Sequence, residues 1–94
     1  MNKSELVDAL ADATGMTKAD AGRAIDALFD TDGGIFVQAM KKGQRVQITG
    51  FGTFESRQRK ARTGRNPRTG QEIEIAASNA PGFKAGKGLK DALN

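Results

Sequence analysis

Cysteine, histidine, tryptophan and tyrosine are all missing from this chain. Without cysteine there is no disulfide framework and no thiolate zinc site. Without histidine there is neither a haem ligand nor a serine–histidine or cysteine–histidine catalytic pair. The five aromatic residues are all Phe, and hydrophobic residues make up 37% of the 94. A domain of that size and composition has little material for a core of its own. No apolar run approaches the roughly 20 residues of a membrane helix, and the opening MNKSELVDAL lacks the apolar stretch of a secretory signal. These absences predict a cytosolic protein with no membrane partner, and in that setting the Asn2-Lys3-Ser4 sequon carries no weight.

Positive charge is plentiful and unevenly placed. The net charge is +4, yet residues 1–40 hold three basic side chains against seven acidic ones, whereas residues 41–94 hold twelve against four. A segregated cationic half favours a polyanionic partner, because neutralising phosphates releases condensed counterions.

Asn2 followed by Glu5 has the spacing of a capping box, and Leu6, Val7, Leu10 and Ala13 follow on one helical face as far as Gly15. Thr17 with Asp20 opens a second helix striped by Ala21, Ala24, Ile25, Leu28 and Phe29. The stretch DTDGG, residues 30–34, interrupts that stripe, and Ile35, Phe36, Ala39 and Met40 resume it in phase. The expectation is a continued apolar face with a local irregularity. Asp30 and Asp32 imitate the start of a calcium loop, but Lys41 stands where the closing carboxylate belongs. Gly43 ends the helical region, and RVQIT alternates as a strand. Phe51 and Phe54 lie among glycines, QEIEIAA alternates as a third strand ended by Pro81, and after Phe83 a short terminal helix aligns Lys84, Lys87 and Lys90.

Residues 57–70 hold six basic side chains, no acid and no large apolar residue. Such a stretch has no core to sit on and should project as a two-stranded ribbon, with its tip in the turn chemistry around Asn66 and Pro67. A cationic ribbon fits a DNA groove, where Arg57, Arg59, Lys60, Arg62, Arg65 and Arg68 meet phosphates and minor-groove edges. Pro67 is rigid, apolar and without an N–H, so at the tip it suits insertion between base pairs. One ribbon touches one side of a duplex, whereas two related by a two-fold axis embrace it. The thin core independently asks for a partner subunit. Leu28, Phe29, Phe36, Phe51, Phe54 and Phe83 are the candidates for the shared core.

GFGTFESRQRKARTGRNPRTGQEIEI, then PGFKAGKGLKDALN, together with the MNKSELVDAL start, resembles the bacterial histone-like HU/IHF family, over essentially the whole chain and closest to HU. The resemblance implies an α+β fold: a helical hairpin base, a three-stranded antiparallel sheet with a protruding two-stranded arm, and a short C-terminal helix in an intertwined dimer. The expected layout is one domain over residues 1–94, with a helical dimerisation region at 1–43, a sheet at 44–83 carrying an arm at about 57–72, and a helix at 84–94. It implies that Pro67 intercalates, in a family that itself exemplifies the wedging principle. The six basic arm residues and Asn66 are then DNA contacts, and Lys3, Lys84, Lys87 and Lys90 form a basic flank. The expected function is architectural: non-catalytic bending and compaction of double-stranded DNA in the nucleoid with little sequence preference, no cofactor, no metal and no small-molecule substrate. Assembly is expected as a homodimer, a heterodimer with a paralogue being the alternative. DTDGG departs from the family pattern as an insertion.

Three rivals stand beside this reading. A site-specific bender of the IHF type needs DNA of unequal deformability to create preference. RNA recognition is disfavoured because the arm has no aromatic side chain to stack on unpaired bases. The glycine-rich residues 82–88 have one residue too few between glycines for a phosphate loop, and Gly88 stands where Ser or Thr should bind magnesium.

Overall fold

The computed structural model describes residues 1–94, which divide into two compact units, Met1–Lys42 and Gly43–Asn94. The first unit is helical. Helix α1 (Lys3–Thr14) starts on the full capping box: the Asn2 carboxamide oxygen accepts from the Glu5 amide, and the Glu5 carboxylate accepts from the Asn2 amide. Two orphan donors are thereby satisfied at one turn. Helix α2 (Lys18–Phe29) is capped by Thr17, whose hydroxyl accepts from the Asp20 amide at 3.1 Å. The small residue Gly22 brings α2 against Val7 of α1, while Ala11, Ala21 and Ile25 are buried.

The local irregularity expected at residues 30–34 is a full break in the helix. A separate helix α3 (Ile35–Lys41) follows. The break has a local cause. Asp30 turns its side chain onto the Asp32 amide at 2.9 Å, and the Gly34 amide donates to the Asp30 carbonyl at 2.8 Å. The turn is so tight that a Cβ on Gly34 would lie 2.5 Å from the Asp30 carbonyl oxygen and 2.7 Å from its nitrogen. The apolar stripe nevertheless stays joined, because the rings of Phe29 and Phe36 meet at 5.0 Å across the break.

The second unit is built on strands β1 (Val46–Ile48), β2 (Gly52–Arg59), β3 (Arg62–Arg65), β4 (Glu72–Ile75) and β5 (Ser78–Ala85), followed by helix α4 (Lys87–Leu93). One antiparallel sheet has the order β1-β2-β5, and β3 pairs with β4 in a separate two-stranded sheet. Three expectations are corrected here. The third strand of the body sheet is β5 and not QEIEIAA, whose residues 72–75 form the returning strand of the arm. Pro81 does not end a strand: it lies inside β5 opposite Ser56. The strand tolerates it because β5 is an edge strand, where the N–H groups of alternate residues face away from the sheet. Lys84 belongs to β5, and the last helix begins only at Lys87. Its glycine-rich approach is structural, since a Cβ on Gly86 or Gly88 would lie 2.8 or 2.9 Å from the Gly50 carbonyl oxygen.

Of the six core candidates, only Phe36 is buried within the single chain. Phe54 is half-buried and packs on Phe83 with ring centroids 4.7 Å apart, and Phe51 reaches Phe83 at 5.9 Å. Leu28, Phe29, Phe51 and Phe83 remain exposed, Phe29 by 48% and Phe51 by 47%. No helix is long and apolar enough to cross a membrane.

Candidate nucleic-acid interface

Strand alternation gives the body sheet two unlike faces. Val46 and Phe83 flank Phe54 on one face, with Ile48 beside them in β1. On the other face Thr53, Glu55, Arg57 and Arg59 of β2 stand opposite Lys84, Gly82, Ala80 and Ser78 of β5, with Gln47 of β1 beside Thr53. That face is polar and cationic, and its β5 side is lined with small residues. Sequence reasoning placed Arg57 and Arg59 in the arm; pairing with Ala80 and Ser78 puts them on the body sheet instead.

The arm proper runs over residues 62–75. Arg59 pairs with Ser78 and Arg62 with Ile75, so both ladders share one register. Two residues on each side, 60–61 and 76–77, separate them without a slip, and Lys60 lies in that gap. The arm is less purely cationic than residues 57–70 suggest. Arg62 and Gly64 share a face with Ile75 and Ile73, while Thr63 and Arg65 share the opposite face with Glu74 and Glu72. The ribbon thus presents one arginine with two isoleucines on one side, and a mixed-charge surface on the other.

At the tip, Asn66 organises the loop. Its backbone N–H donates to the Gln71 carbonyl at 2.8 Å and its carbonyl accepts from the Gly70 amide at 2.8 Å. Its side-chain oxygen accepts from the Arg68 amide at 2.9 Å. Gly70 adopts φ 71°, the left-handed region that lets the chain re-enter β4. Pro67 stands exposed in the turn so formed, with Arg65 and Arg68 on either side. Asn66 therefore shapes the tip through contacts of its own, whatever else it touches.

The remaining predicted cations are dispersed. Lys87 and Lys90 lie on α4. Lys3 belongs to the helical unit, where its ammonium pairs with the Asp26 carboxylate at 2.5 Å. The hydrogen bond to Asp26, and the Coulomb attraction of that carboxylate, raise the Lys3 pKa above its ordinary 10.5. Nearby, Leu6, Ile25 and Phe29 line an apolar groove rimmed by Lys3, Asp26 and Asp30.

Two charged residues beside Arg57 escaped the sequence reading. Arg45, just before β1, forms an ion pair with Glu55 at 3.5 Å, and Arg57 donates to the same carboxylate at 3.2 Å. The signal was present: RVQITGFGTFE folds as a hairpin that sets Arg45 across from Glu55 once Val46 pairs with Phe54.

The whole chain, residues 1–94, matches the family described as bacterial DNA-binding protein. It is 54% identical over 93 residues to the DNA-binding protein HU of Geobacillus stearothermophilus, covering 99% of each chain. It is 56% identical over 94 residues to the DNA-binding protein HU-beta of Pseudomonas aeruginosa, covering all of both. Among solved structures, an Anabaena HU–DNA cocrystal superposes with a TM-score of 0.84 at 44% identity, over 99% of this chain and 97% of that one. HU from Thermotoga maritima gives 0.66 at 32% identity with full coverage of both chains. A helical unit, a three-stranded sheet with one cationic face and a proline-tipped hairpin, matched from end to end by these relatives, place the chain in the bacterial DNA-binding protein family.

Proposed function

We propose that this chain is an architectural, non-catalytic protein of the bacterial nucleoid that binds double-stranded DNA through the minor groove, bends it and compacts it. The observation that carries the reading is the β3–β4 hairpin: a solvent-exposed ribbon in register with the cationic face of the body sheet, ending in an exposed proline between arginines. Arg62, Arg65 and Arg68 follow the groove, and Pro67 enters a base step and unstacks it. Arg57, Arg59, Lys60 and Lys84 meet the backbone beneath the arm, Lys87 and Lys90 meet the flanking DNA, and Lys3 is held back from it by its ion pair with Asp26. Cation-to-phosphate contacts position a protein without reading bases, so sequence preference is low. The HU names of the relatives favour this over the site-specific IHF reading.

Assembly as a dimer completes the reading. The exposed Leu28 and Phe29 of the helical unit, and Phe51 and Phe83 of the sheet unit, are the apolar surfaces a second chain would cover. Two copies also supply two arms. A homodimer needs no paralogue, and the location is the cytoplasm, where the DNA is.

The test uses a duplex labelled at both ends. Wild-type protein should bind it and shorten the end-to-end distance seen by energy transfer. Pro67→Ala should keep most of the affinity, because the cations remain, and lose most of the bend. Equal loss of both, or failure of the wild type to bind intact duplex at modest salt, would refute the reading.

A further inference from the structure

One acid stands among the cations of the polar sheet face. The Glu55 side chain is only 15% exposed, whereas those of Arg45 and Arg57, which it joins, are 75% and 55% exposed. Both arginines approach through Nε: Arg57 to one carboxylate oxygen at 3.2 Å and Arg45 to the other at 3.5 Å. A guanidinium carries one donor on Nε and four on its terminal nitrogens. Pairing through Nε therefore leaves the terminal fork of each arginine free to make a bidentate phosphate contact. Arg57 is also seated from below. It crosses in front of Gly82, directly opposite Glu55 in β5, so closely that a Cβ there would lie 2.7 Å from Nε and 3.0 Å from Cζ.

Coulomb's law alone argues against a carboxylate on a surface that attracts phosphates. Its presence is accounted for if what it gains in geometry exceeds what it loses in attraction. An arginine fixed in advance loses less rotamer freedom on binding than one free in solvent. We propose that Glu55 is a positioning residue for duplex binding. It holds Arg45 and Arg57 side by side over the floor left by Gly82, with both terminal forks presented to adjacent phosphates. The inference rests on the duplex-binding reading above and deepens it by adding Arg45, Glu55 and Gly82 to the site.

The sign of one measurement separates this from a stray surface charge. Glu55→Gln adds one positive charge per chain, so a purely electrostatic role makes binding tighter. Positioning makes it weaker, by about threefold or more, with the slope of log affinity against log salt shallower by about one to two units as the two arginines leave their phosphates. Gly82→Ala is the second probe and alters no charge. The atoms nearest the added methyl all belong to the movable end of Arg57, so the guanidinium is displaced before the strand is, and binding should weaken in the same direction. Circular dichroism melts of both variants check the fold; if Glu55→Gln unfolds, Gly82→Ala decides. Wild-type affinity for a plain duplex of about 30 base pairs is read in the same titration. If the wild type does not bind, the duplex reading fails and this inference with it. If it binds and Glu55→Gln is as tight or tighter, or a folded Gly82→Ala equals wild type, the positioning role alone is refuted.

Discussion

Lys3 is not a free cation waiting for a partner. Its ammonium is already held by Asp26, and that hydrogen bond is the main reason its pKa lies above 10.5. The sign follows from linkage. A group whose pKa is raised by folding contributes its stability below the unfolded value and loses it as pH climbs through the folded one. This pair therefore holds through neutral pH and is lost on the alkaline side as Lys3 deprotonates. Both side chains are largely exposed, so removing the pair changes folding little. Removing Asp26 changes availability more. Asp26→Asn should leave the melting temperature nearly unmoved, tighten duplex binding, and steepen the salt slope by about one unit as Lys3 gains a phosphate. Competition gel shifts across a salt series measure it. An unchanged slope would mean that Lys3 stays in solvent.

Elements depend on a few tight approaches. The helix break at residues 30–34 requires Gly34, because any Cβ there collides with backbone of Asp30 rather than with a movable side chain. Gly34→Ala should destabilise the helical unit by roughly 1–3 kcal/mol, a typical overpacking loss, seen as a lower thermal midpoint with the Phe29–Phe36 contact disturbed. Much at this scale was legible in the sequence. The two N-caps at Asn2 and Thr17 announced both helix starts, since a cap is a contact within four residues. Long-range choices were not legible. Alternation in residues 72–75 identified a strand but carried no information on its partner, so β4 was assigned to the body sheet instead of the arm. Pro81 was read as a terminator because a one-dimensional sequence does not say which strand lies at an edge. The tip at Pro67 was legible because Asn, Pro and Gly fix local dihedrals. The bridge from Glu55 to Arg45 and Arg57 was not, since it exists only once a register is chosen.

At the scale of the molecule, charge is sorted between the two units, while exposed apolar side chains occur on both. The helical unit, Met1–Lys42, has five basic residues against seven acidic, and the unit Gly43–Asn94 has ten against four. Exposed Leu28 and Phe29 belong to the first, and Phe51 and Phe83 to the second. Attraction between a cationic surface and phosphates weakens steeply with ionic strength, whereas apolar contact between subunits does not. Sedimentation in rising potassium chloride should show the duplex leaving first while the dimer persists; simultaneous loss of both would mean that the subunits meet through charge. The sorting has a physiological corollary. On the proposed reading, an osmotic upshift that drives potassium inward loosens the hold on DNA reversibly, and a released dimer, still assembled, is ready to clamp again when the ions leave.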